Sequence, residues 1–111
     1  MNEKQKLGMA GEEFAAEVLQ MTGYAILHRN YRCRAGEIDI IAELGTELFF
    51  VEVKTRRDTA FGQPCEAVTE AKRSRMRKAA ASFLSENQCR WDTFSFQVIE
   101  IGFHQIENAF L

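Results

Sequence analysis

Proline is nearly missing from these 111 residues: Pro64 is the only one. With so little to interrupt regular structure, long helices and strands are allowed on both sides of it. Cysteine is scarce and odd in number, at Cys33, Cys65 and Cys89, with no pair at CxxC spacing. That suggests neither a disulfide framework nor a zinc site, so reduced thiols in a cytoplasmic protein are expected. No apolar stretch approaches the ~18 residues of a membrane span, and the polar start Met1-Asn-Glu-Lys-Gln-Lys6 leads to no signal-peptide core. A GxxxxGK[ST] phosphate loop, a GxGxxG fingerprint, an internal repeat and a linker are all absent. So is any cysteine–histidine or serine–histidine pairing at motif spacing. Residues 1–111 therefore read as one domain. At 46% hydrophobic and 27% charged it has the composition of an ordinary soluble protein, able to bury a modest core without cross-links.

An excess of positive charge is lacking too, since the formal net charge is −2. The distribution matters more than the total. From Lys54 to Lys78 eight basic residues face three acidic ones, a local excess of +5. Arg29, Arg32 and Arg34 form a second basic cluster, while acid gathers in the first helix and around Gly36–Lys54. A protein that binds a polyanion and chelates a cation has this layout, and so does a surface of solvated charge runs.

What is present centres on Gly36-Glu-Ile-Asp-Ile-Ile41 and Phe49-Phe-Val-Glu-Val-Lys-Thr55, two strand-like apolar runs carrying charges at alternate positions. Gly45-Thr46 between them suits a two-residue hairpin turn. If Leu44 pairs with Glu47, Asp39 stands opposite Glu52 and Glu37 opposite Lys54, all on one face. Two facing carboxylates repel unless a positive charge lies between them, and a divalent cation would supply it.

Upstream, Glu3 to Thr22 reads as an amphipathic helix with Leu7, Ala10, Phe14, Val18 and Leu19 as its apolar stripe and Gly23 as its stop. Gly8 and Gly11 each cost that helix roughly 1 kcal/mol relative to alanine, which points to close approach of another element. Glu12 falls at the edge of the stripe and Glu13 faces solvent, so Glu12 is the helix carboxylate able to reach an internal site. Tyr24–Asn30 reads as a strand and Tyr31–Gly36 as a basic loop. After Thr55 an irregular stretch, Arg56 to Glu66, has the length of a flap over a site. Thr69 is a plausible N-cap for a helix to Glu86 with Met76, Ala79, Ala80, Phe83 and Leu84 inward. Lys72 lies on that inward stripe, and Arg73 and Arg75 flank it. Phe94–Ile101 reads as a last strand, and the apolar end Asn108-Ala-Phe-Leu111 suits docking on the core or on another subunit. The order α-β-β-β-α-β is that of a mixed α/β domain with a central antiparallel hairpin.

Asp39, followed thirteen residues later by Glu52-Val-Lys54, matches the PD-(D/E)xK nuclease motif, with Ile38 where its proline often stands. Carboxylate ligands suit Mg²⁺ or Mn²⁺, which can polarise a phosphodiester and acidify a bound water. Lys54 would orient that water or stabilise the phosphorane.

More closely, the chain resembles the YraN-like family of small bacterial proteins, predicted endonucleases akin to Holliday-junction resolvases. The resemblance rests on Gly8-Met-Ala-Gly-Glu12, Arg29-Asn30, Gly36-Glu-Ile-Asp-Ile-Ile-Ala42, Phe50-Val-Glu-Val-Lys-Thr-Arg56, Gly62 with Pro64, Ala67-Val68 with Lys72, and Asn108-Ala-Phe110. It implies a restriction-endonuclease-like core with Glu12, Asp39, Glu52 and Lys54 at the nuclease positions. It also implies metal bound by Asp39, Glu52 and the Val53 main-chain carbonyl, with Glu12 acting through metal or water. Where the family often has Phe-Asp-Val this chain has Phe96-Gln-Val98, which weakens any role of that aspartate here. DNA, branched or structured forms included, is the substrate so implied, and a homodimer would suit two-fold DNA. Arg32, Arg34, Arg56, Arg57, Lys72, Arg73 and Arg75 are the candidate phosphate contacts. Two other functions fit the same residues: a nucleic-acid-binding module without catalysis, and a protein-interaction adaptor whose carboxylates are structural.

Overall fold

A computed structural model describes residues 1–57, 68–87 and 90–110. Its elements, in order, are α1 (Glu3–Met21), β1 (Ala25–Cys33), β2 (Gly36–Leu44), β3 (Glu47–Arg57), α2 (Glu70–Glu86) and β4 (Thr93–Phe103). The expected α-β-β-β-α-β order and central hairpin are present, and the arrangement suits a restriction-endonuclease-like core. The stretch foreseen as a flap falls almost wholly outside the described residues, as do Cys65 and Cys89.

The sheet runs β1-β2-β3-β4. The first three strands are antiparallel meanders, and β4 lies parallel to β3 along eleven paired positions. A parallel neighbour needs a long crossover, which α2 supplies. Neither terminus of the helices is left to chance. Asn2 caps α1 in a reciprocal box with Gln5, and the Thr69 hydroxyl accepts from the Lys72 amide at the start of α2. Gly23 ends α1 with φ +100°, a conformation costly for any residue with a Cβ.

One helix covers each face of the sheet. On one side Ala15, Ala16 and Leu19 of α1 pack on Ile40, Ala42, Phe49 and Val51. On the other, Ala79, Ala80 and Phe83 of α2 pack on Tyr31, Ile38, Ile41, Leu48 and Phe50. Tyr31 closes the second layer on α2 by donating to Glu86 at 2.8 Å, with the Ser82 hydroxyl at 3.1 Å from its oxygen.

The α1 stripe departs from the expectation. Phe14, Val18 and Met21 are exposed, and the buried face is Gly11, Ala15, Ala16 and Leu19. Small side chains win because they let the helix backbone approach the sheet: a Cβ on Gly11 would sit 1.9 Å from the Thr55 hydroxyl. Gly8, which was expected to act likewise, has open space around it. The foreseen loop at Tyr31–Gly36 is mostly strand, because β1 continues to Cys33 and turns on Arg34-Ala35 alone. The apolar C-terminus is not docked on the core, since Ile106 and Phe110 are exposed.

Candidate functional site

The β2–β3 hairpin has the register expected from Gly45-Thr46, with Leu44 opposite Glu47, Ala42 opposite Phe49 and Ile40 opposite Val51. Gly45 takes φ +62°, the left-handed turn conformation. The ladder then stops one pair short of Asp39 and Glu52. Instead of facing Glu52 across paired backbone, Asp39 accepts a hydrogen bond from the Val53 amide at 2.8 Å through Oδ2. β3 meanwhile keeps its pairing with β4 past this point, through Arg57. The two strands thus part where their carboxylates would have collided, which is the physical outcome of placing like charges opposite one another.

A bend in β2 makes the parting possible. Ile38 and Ile40 are both fully buried, yet they enter opposite cores, Ile38 under α2 and Ile40 under α1. A regular strand would send both to one face. The β1–β2 ladder skips Asn30 and Asp39 at this place, and Asn30 holds φ +53°. Asparagine tolerates that left-handed conformation better than most residues with a Cβ. The pair Arg29-Asn30 stood among the matched blocks, but its backbone role had no signal in the sequence beyond the residue type.

Charged side chains of both helices act on the carboxylates here. Glu12 of α1, half-buried, comes from one side. Lys72 of α2 comes from the other and forms an ion pair with Glu52, whose side chain is only 6% exposed. Burial pushes the Asp39 carboxyl up to about 7, with Glu52 and Glu12 adding to the rise while the Val53 amide and Lys72 oppose it. Burial also raises Glu12, against the pull of Arg29 and with a further push from Glu52. Glu12, Asp39 and Glu52 therefore feel one another's charge. Lys54 stays on β3, half-buried beside Glu100 of β4. The ammonium at the carboxylates is that of Lys72. Glu37 pairs with Arg32 at 3.2 Å rather than with Lys54. Gln97 stands beside Val51, one position short of Glu52 and on the opposite face by strand alternation.

As a cation site, the cluster offers the right donors. Its carboxylates suit a hard divalent ion, and it contains no thiolate or imidazole. Among the described residues no three His, Cys, Asp or Glu side chains stand close enough together to hold a metal ion. Two of the donors are already engaged, Asp39 by an amide and Glu52 by Lys72.

The basic candidates divide by partner. Arg56 is 2.7 Å from Glu100, and Arg57 pairs with Glu3 and stacks over Phe103. Arg73 is a loose 4.0 Å from Glu70. Arg34 and Arg75 sit with Arg32 around a single cleft between the β1–β2 turn and α2.

Comparison with known proteins places the chain in a group of similar length. The pattern described as "Uncharacterised protein family UPF0102" matches residues 11–101, which include Glu12, Asp39, Glu52 and Lys54. A UPF0102 protein of Caldicellulosiruptor saccharolyticus is 44% identical over 108 residues, covering 97% of this chain and 91% of its own. One from Nocardia farcinica is 46% identical over 101 residues, with 91% and 80% covered. One from Alkaliphilus metalliredigens is 40% identical over 112 residues, with 96% and 98% covered. Matched along most of its length by the family pattern and by whole relatives, the chain belongs to the UPF0102 family, the YraN-like proteins.

Proposed function

We propose that this protein is a metal-dependent endonuclease that hydrolyses phosphodiester bonds in DNA, branched or structured DNA among its substrates. The observation that carries the reading is Asp39 at the point where β2 and β3 part, pushed up to about 7 chiefly by burial and further by the charges of Glu52 and Glu12. Keeping carboxylates together in a half-buried gap costs stability, and a cation that enters recovers it. Asp39, Glu52 and the Val53 carbonyl would hold Mg²⁺ or Mn²⁺, with Glu12 reaching it through water. Bound there, the ion supplies Lewis acidity to a phosphate oxygen and lowers the pKa of a water. The chain's own groups do the remainder. Lys54 orients the attacking water or meets charge on the phosphorane, and the arginines hold the strand by its phosphates.

The test is cleavage of plasmid and four-way-junction DNA by purified protein in Mg²⁺ or Mn²⁺, beside Asp39→Ala and Lys54→Ala. Loss of cutting in both variants is expected; equal cutting by all three would expose a contaminant and end the proposal. One observation favours a second reading, a nucleic-acid-binding module without catalysis. Lys72 already neutralises Glu52, so the site is partly balanced without metal. Calorimetric titration with Mn²⁺ separates the two, because the binding module takes up no ion and keeps its DNA affinity in Glu52→Gln.

A further inference from the structure

The β1–β2 turn does something that the carboxylate cluster does not require. Its tip lies against the second turn of α2, since a Cβ on Gly36 would come within 2.7 Å of the Arg75 carbonyl oxygen and 2.9 Å of the Arg75 Cβ. Only glycine permits that approach, so Gly36 sets the distance between the hairpin tip and the helix. The consequence is a solvent-open cleft of about 360 Å³ lined by Arg32, Arg34 and Arg75, with Glu37 as its one acid.

Three guanidiniums from two separate elements repel unless something anionic joins them. Glu37 engages Arg32 alone, and both side chains of that pair are more than half exposed, so the pair is weak and readily exchanged. Arg34 and Arg75 have no ion pair or side-chain hydrogen bond among the described residues. Other arginines flanking the site are differently placed: Arg56, Arg57 and Arg77 each have a carboxylate partner. The cleft also lies close to Asp39 along β2, because Gly36 and Glu37 pair with Cys33 and Arg32 just before Asp39 in the strand.

We propose that the Arg32–Arg34–Arg75 cleft is a discrete seat for a backbone phosphate of a polynucleotide, next along the strand from the carboxylate gap. Guanidinium forks match phosphate oxygens in pairs, and two forks without partners can close on one group from opposite sides. The contacts carry no base information, so the seat fixes register and direction on the strand rather than sequence. It rests on the nucleic-acid part of the proposed function and is independent of metal and of cleavage.

Fluorescence anisotropy with a labelled DNA oligonucleotide in EDTA tests it, using the whole chain and a salt series. Arg34→Gln and Arg75→Gln should each lower the slope of log affinity against log salt by about one, and the double variant by about two. At low salt the double variant should bind about tenfold more weakly, to the same degree for unrelated sequences. Lys78→Gln, an equal loss of charge on the outward face of α2, should change the slope by much less. An unchanged slope in the double variant overturns the seat, as does absence of DNA binding by the wild type. Inorganic phosphate competing at concentrations as low as the oligonucleotide would mark a small-anion site and overturns it too. A chain that takes up Mn²⁺ and cuts DNA while the double variant binds normally loses the seat and keeps the nuclease. A chain that binds through both arginines yet takes up no Mn²⁺ keeps the seat and loses the nuclease.

Discussion

Lys72 on α2 and Glu52 on β3 are joined as an ion pair in which the carboxylate side chain is 6% exposed and the lysine 38%. The pair ties a helix to the strand at the place where the neighbouring strand has left. Removing one partner of such a pair strands a buried charge, which costs far more than the pair itself contributes.

Lys72→Met should therefore lower stability by about 3 kcal/mol, read as a reduced urea midpoint at unchanged m-value. Glu52→Gln in the Lys72→Met background should recover most of that loss, because no buried charge is left without a partner. The same cluster predicts that Lys72→Met raises the Asp39 pKa further, since the lysine pulls it down in the intact protein. Carboxyl-carbon NMR titration reads that shift directly. If Mn²⁺ binds as proposed, saturating ion should restore part of the variant's stability.

The Asp39 carboxyl gives the protein a pH dependence of definite sign. Its folded value of about 7 lies above the ordinary 3.8, so the folded chain holds this proton more tightly than the unfolded one. Below 3.8 both states are protonated and the contribution is fully present. Between 3.8 and 7 the unfolded chain releases the proton first, and stability falls as pH rises. Above the folded value the contribution is gone. After allowance for partial solvent access the fall attributable to Asp39 is about 1–2 kcal/mol. Urea melts of the metal-free protein from pH 4 to 8 should show it, and Asp39→Asn should flatten the curve, leaving the smaller slope due to Glu12. Divalent-ion affinity should run the other way, rising with pH up to neutrality because the ion must displace the proton.

At Gly11 the α1 backbone lies directly against the Thr55 side chain of β3. Gly11→Ala places a methyl group 1.9 Å from the threonine hydroxyl, so the Thr55 side chain, the helix or the strand must shift. A loss of about 1–3 kcal/mol is expected, although alanine is the better helix former. Thr55→Ala removes the two atoms at 1.9 and 3.3 Å and leaves the Cβ at 3.1 Å, so Gly11→Ala should cost less in that background. A thermal-melt double-mutant cycle measures the coupling. Equal costs in both backgrounds would mean that the helix is held off by something other than Thr55.

The same contact explains what could be read from the sequence and what could not. Turn chemistry at Gly45-Thr46 and strand alternation sufficed for the hairpin register, because both are local. Lys72 and Glu12 were legible as inward residues from helical period alone. The buried face of α1 was not, because hydrophobic size favours Phe14 and Val18 whereas the packing distance favours glycine and alanine. Period says which residues share a face; it does not say which face a sheet will accept. The gap at Asp39 was hidden for a related reason. It depends on a strand bend and on Asn30 in the left-handed region, both set by tertiary balance. Phe14→Gln and Val18→Gln accordingly should each change stability by no more than about 0.5 kcal/mol, as for ordinary surface positions. Leu19→Ala, on the buried face, should cost about 2–5 kcal/mol.

The two lysines near the site should separate chemistry from stability. Lys72 is bound to a buried carboxylate, whereas Lys54 has no such partner among the described residues and stands two residues beyond Glu52 on the same face of β3. A lysine held in reserve in this way is suited to a charge that exists only during reaction, because it gives up no ground-state contact to meet it. Under the nuclease reading, Lys54→Ala should lower kcat by about 10²–10³-fold with little change in KM. Its urea midpoint should match the wild type within error. Lys72→Ala should do the converse at first, losing stability, with activity falling only as far as Glu52 is displaced. Single-turnover cleavage of a junction substrate, run beside urea melts of the same preparations, makes the comparison. If Lys54→Ala destabilised the fold as much as Lys72→Ala, Lys54 would be a structural residue and the assignment of the chemistry to it would fall.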